Sequence, residues 1–91
     1  MSLMTCVSTK KTSVSQTTPV KIVDANASRV QLIIISSSAA FIGGSDLTSS
    51  NGFPVGANVI LTVPSTGCQA AVYALGNTVN PDVAALEFNL L

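Results

Sequence analysis

Short runs of aliphatic and β-branched residues, each closed by Gly, Pro, Asn or Ser, constrain this chain more than any other feature. Runs of that length, separated by turn residues, have the spacing of strands rather than helices. Val20-Lys21-Ile22-Val23-Asp24 starts behind Pro19, a residue tolerated at a strand start. Asn26-Ala27-Ser28 supplies a turn, because Asn and Ser side chains bond to nearby backbone. Arg29-Val30-Gln31-Leu32-Ile33-Ile34-Ile35 is then the strongest strand, with Val30, Leu32 and Ile34 on one face and Ile33 and Ile35 on the other. Apolar residues on both faces predict a central strand, or a strand with one face closed by a partner chain.

After Ser36-Ser37-Ser38, residues 39–42 read as a short strand ended by Gly43-Gly44, together a hairpin or a sheet-switching corner. Residues 45–56 read as a long loop with an Asn51-Gly52 turn, yet they carry Leu47, Phe53 and Val55. Residues 58–63, 69–75 and 83–90 complete the set. In the last of these, Ala84, Leu86, Phe88 and Leu90 alternate with Ala85, Glu87 and Asn89. The pattern predicts an all-β chain, a compact antiparallel β-sandwich or barrel of six to seven strands. Residues 19–91 form its single domain, and residues 1–18 an edge strand or an N-terminal arm, the arm having its latter half near Thr12 to Gln16 joined to a sheet.

The chemistry on offer is sparse. Charge is confined to Lys10, Lys11, Lys21, Arg29, Asp24, Asp46, Asp82 and Glu87, and the chain has no histidine and no tryptophan. General acid–base catalysis and metal binding both draw on residue types that are scarce here. The four carboxylates fall on separate turns and strands, and Lys21 lies near no motif that would activate a serine. Gly43-Gly44 is followed by no Lys-Ser/Thr, so it is not a phosphate loop. Cys6 and Cys68 could form one disulfide or remain two thiols, and without histidine neither has a base to make it a nucleophile. No enzyme, cofactor or metal is expected. A net charge of zero predicts neither nucleic acid nor an anionic membrane as partner. The densest apolar region, residues 30–42, is interrupted by Gln31 and Ser36-Ser37-Ser38 and is too short for a spanning helix. The first nine residues show no cationic start followed by an apolar stretch, so a secretory signal is not expected.

From Val20 onward the order of features resembles a type of small virion structural protein of tailed bacteriophages. The resemblance is carried by Ala25-Asn26-Ala27-Ser28-Arg29-Val30-Gln31-Leu32-Ile33-Ile34 and Ala40-Phe41-Ile42-Gly43-Gly44. It continues through Ser50-Asn51-Gly52-Phe53-Pro54-Val55-Gly56-Ala57, Ala71-Val72-Tyr73-Ala74-Leu75 and residues 83–87, and residues 1–18 fall outside it. It implies a β-sandwich or barrel on the phage particle: a head decoration (cement) protein, or a fibre- or tail-associated module. The expected partners are the major capsid protein and further copies of the chain, with a trimer as the stoichiometry. A receptor- or glycan-binding fibre or tail module, or a head–tail connector or tail ring component, is the alternative.

Within that picture Arg29, at the mouth of the strongest strand, is expected to order the 24–28 turn or to pair with Asp24 or Glu87. The candidate intermolecular contact comprises Lys10, Lys11, Leu47, Phe53, Pro54 and Val55, since apolar residues on a loop tip need a partner or must fold back over the sandwich.

Overall fold

Alternation with a period of two gives every strand here an inner and an outer set of side chains, and the inner sets need a second sheet to cover them. The computed structural model of the chain describes residues 4–64 and 69–90. Eight strands form: β1 (Met4–Ser13), β2 (Val20–Val23), β3 (Arg29–Ser36), β4 (Ala40–Gly43), β5 (Phe53–Val55), β6 (Ile60–Pro64), β7 (Val72–Gly76) and β8 (Asp82–Leu90). They build two four-stranded sheets, in the orders β1-β8-β3-β6 and β2-β7-β4-β5. Every pairing is antiparallel.

The order has a simple logic. β1 pairs with β8, β2 with β7, β3 with β6 and β4 with β5, so the chain is one long hairpin whose successive rungs alternate between sheets. Rolled up in this way, the hairpin has the strand order of a jelly roll. The sandwich predicted from the sequence is therefore present, with eight strands in place of six or seven. The additional strand is β5, which lies inside the segment read as a loop. Three residues centred on Pro54 show no readable alternation, and pairing of Phe53–Val55 with Ala40–Ile42 is what extends them.

Two open alternatives are decided. Of the two readings of the N-terminal segment, the edge strand is the one found: β1 pairs with β8 from Met4 to Ser13, not only in the stretch near Thr12 to Gln16 that the arm reading would place in a sheet. It ends at Ser13, after which Val14 drops into the core and its N–H donates to the Pro81 carbonyl at 2.9 Å. The corner at residues 37–39 is a sheet switch, since β3 and β4 belong to different sheets. Between β5 and β6 the chain turns through Asn58 at φ 59°, left-handed backbone that asparagine tolerates better than most residues.

The core lies between the sheets. Leu32, Ile34, Val83 and Ala85 from one sheet meet Ile22, Val23, Ile42, Val55, Val72 and Ala74 from the other, with Leu61 and Val63 packed alongside. Leu32 and Ile34 are fully buried, while their neighbours Ile33 and Ile35 lie on the outer face and are half-buried. Ile34→Ala is expected to cost about 2–5 kcal/mol, and Ile33→Ala about 1 kcal/mol or less, because only the first leaves a cavity. Urea unfolding of the two variants checks this; equal losses would contradict the facing.

Candidate interaction surface

One end of the sandwich is organised by the least expected buried residue. Arg29 is 2% exposed and Glu87 9%, and Arg29 Nε donates to Glu87 Oε2 at 2.7 Å. The guanidinium also donates to the Asp24 carbonyl at 2.6 Å and to the Ala70 carbonyl at 3.0 Å. Such a fork gives a desolvated charge the partners it needs. Around it the Asn26 N–H donates to the Gln69 carbonyl at 2.7 Å, and Asn26 Nδ2 to Asn89 Oδ1 at 2.7 Å. Both jobs foreseen for Arg29, ordering the 24–28 turn and pairing with Glu87, are done by this one group. The Asp24 carboxylate is engaged elsewhere, with Lys21 Nζ at 2.8 Å.

Glu87 inside means that its strand neighbours are outside. In β8, Val83, Ala85 and Glu87 point inward, while Ala84, Leu86 and Phe88 lie half-buried on the outer face. Register assembles them into cross-strand rows. Ile35 stands between Ala84 and Ile60, Ile33 between Leu86 and Thr62, and Gln31 between Phe88 and Pro64. Thr9 and Lys11 of β1 stand opposite Leu86 and Ala84. A shallow groove of about 240 Å³ runs over Thr9, Ile33, Ile35, Ile60, Ala84 and Leu86. Among the described residues the outer face is therefore largely apolar and its charge marginal: Lys11, at its border, faces Asp82 at 3.8 Å.

A second opening, of about 290 Å³, lies at the Gly43-Gly44 end between Ile42, Val63, Ala70, Ala71 and Val72. The described residues that line it carry no ionisable side chain. Among the described residues no three His, Cys, Asp or Glu side chains come together as a metal site. Cys68 lies outside the described residues, as does any pairing it makes with Cys6.

The residues expected to form the contact are scattered. Leu47 is buried, and it packs so closely on Gly52 that a Cβ there would come within 2.7 Å of Leu47 Cδ1. Val55 belongs to the core. Both are therefore withdrawn from the surface, and of the loop residues Phe53, at 60% exposure, and Pro54 remain exposed. Lys10 and Lys11 are exposed on β1, on the flank opposite the one where Phe53 and Pro54 lie on β5. No single small patch includes both pairs. The surface that was missed is the apolar outer face, and its signal was present in the two-faced apolar run of β3. Compared with known proteins, the chain matches no family model, no curated protein and no solved structure.

Glu87→Leu, which strands the buried guanidinium, is expected to cost about 3–5 kcal/mol, whereas the double variant Arg29→Met/Glu87→Leu should recover most of that loss. Denaturant midpoints of the three proteins decide it. The Lys21–Asp24 pair predicts a smaller effect of definite sign. Hydrogen bonding from Lys21 and then its charge hold the Asp24 carboxyl below the usual carboxylate range, and the same contacts raise Lys21. The Asp24 contribution is present above the ordinary carboxylate pKa and fades as pH falls through the lowered one; the Lys21 contribution fades only above the ordinary lysine range. Asp24→Asn should therefore lower the urea midpoint slightly at neutral pH and leave it unchanged in strong acid.

Proposed function

We propose that the chain is a non-enzymatic structural protein of a tailed-phage particle, a head decoration protein that lays the outer face of the β1-β8-β3-β6 sheet on major capsid subunits. The observation that carries this reading is the row of Leu86, Phe88, Ile33 and Ile35 turned away from the core by the inward Glu87. A monomer has no use for its larger β8 side chains on the outside, whereas a subunit held by neighbours does. The strand order agrees with this, since jelly rolls serve in viral capsids, although lectins and cupins use them too. The resemblance of residues 20–87 to small phage virion proteins supports the same assignment. On this reading the chain is made in the host cytoplasm and ends on the head surface.

Apolar contact between nearly uncharged surfaces has little to lose to screening. Binding of the purified protein to undecorated heads should therefore change less than about threefold between low and high salt, while Leu86→Lys should weaken it by roughly tenfold or more. A steep salt dependence, or indifference to Leu86→Lys, would refute the assignment. A glycan-binding screen separates the fibre-module alternative, for which a decoration protein returns no hit.

A further inference from the structure

Two sheets leave four edges among the described residues: β1 and β6 on one, β2 and β5 on the other. An edge carries unpaired N–H and C=O groups and invites another strand, so edges are usually blunted by charge, bulges or proline. β1 carries Lys10 and Lys11 and a register shift between Cys6 and Ser8. β2 carries Lys21 and a shift between Lys21 and Val23. β5 has three residues with Pro54 in the middle. β6, Ile60-Leu61-Thr62-Val63-Pro64, carries no charge and no register shift against β3 from Ile35 to Gln31, and its one proline is its last residue. Beside it Val59 is 54% exposed and Ile60 65%.

We propose that β6 pairs antiparallel with β6 of a second copy, about a two-fold axis near Thr62, joining two four-stranded sheets into one of eight strands. Charge selects this occupant: a strand without charge meets itself without repulsion, and a chain of zero net charge adds none at long range. Symmetry about Thr62 sets Leu61 opposite Val63 of the partner subunit and threonine opposite threonine, both favourable cross-strand pairs. A strand of five residues spans about 17 Å. The exposed Val59 and Ile60 side chains lie at one end of this edge and would be covered with it. A trimer would need two different patches to meet, whereas this edge is self-complementary. The pairing does not depend on the virion assignment, though it would double the apolar outer face.

Sedimentation of the full chain from about 5 to 500 μM should show the mass rising from 9.2 kDa toward twice that value. Thr62→Lys, at an exposed position, should weaken association at least about tenfold by setting like charges opposite each other, with an unchanged circular dichroism spectrum. Thr9→Lys, on the other edge strand of the same sheet, should leave association intact. In a Cys6→Ser/Cys68→Ser background, Thr62→Cys should oxidise to a covalent dimer. A monomer at every concentration, a trimer, or a dimer indifferent to Thr62→Lys would overturn the proposal. Lost head binding with the dimer intact would refute only the virion assignment.

Discussion

The Arg29–Glu87 ion pair is the constraint to which the rest of this structure answers. A buried guanidinium without a carboxylate would be costly, so Glu87 must face inward wherever Arg29 does. Strand alternation then leaves no freedom. With Glu87 inside, Ala85 and Val83 are inside and Leu86 and Phe88 are outside, although hydrophobicity alone would choose the opposite facing. A slip of one residue would bury leucine and phenylalanine but strand both charges, one at the surface and one in the core. The pair therefore contributes register as much as energy. Because β8 lies between β1 and β3, its register is transmitted to both neighbours.

The same pair closes the chain on itself. Arg29 lies at the start of β3 and Glu87 near the end of β8, while the carbonyls that the guanidinium holds come from Asp24, after β2, and Ala70, before β7. Four strands from both sheets thus converge on one side chain. At the other end the connections are backbone to backbone: the Gly76 N–H donates to the Ser15 carbonyl and the Asn77 N–H to the Ala39 carbonyl. One end is tied by a charge and the other by turns, and the apolar core between them needs no polar group to align it.

What could be read from residues alone follows from this division. The sandwich class was legible because period-two runs and turn residues are local signals, and the role of Arg29 was legible because a lone arginine at a strand mouth has few possible partners. β5 was not, since Phe53–Val55 become a strand only through β4. Leu47 and Val55 were misplaced because an apolar residue in a loop reads the same whether it folds inward or reaches outward, and only tertiary contact with Gly52 and the core distinguishes the two. The facing of β8 lay beyond local pattern altogether. Its alternation was visible, but the choice between its faces depends on an ion pair spanning 58 residues of sequence.

The low charge of the chain takes on a different meaning once the faces are assigned. A small domain gains limited stability from its own core, and here the inner positions of β8 are filled by valine, alanine and glutamate, while larger apolar groups lie outside. Such a distribution sacrifices core volume to surface contact, which is unfavourable for an isolated molecule and favourable for one held on both sides. Lysines and register shifts sit on β1 and β2 and a proline interrupts β5, whereas β6 has neither lysine nor shift and its proline is its last residue. Among the described residues, a lysine, a register shift or a central proline thus marks three of the four edges and not the fourth. That asymmetry, more than the apolar content itself, is what favours the proposal that a second copy covers this edge.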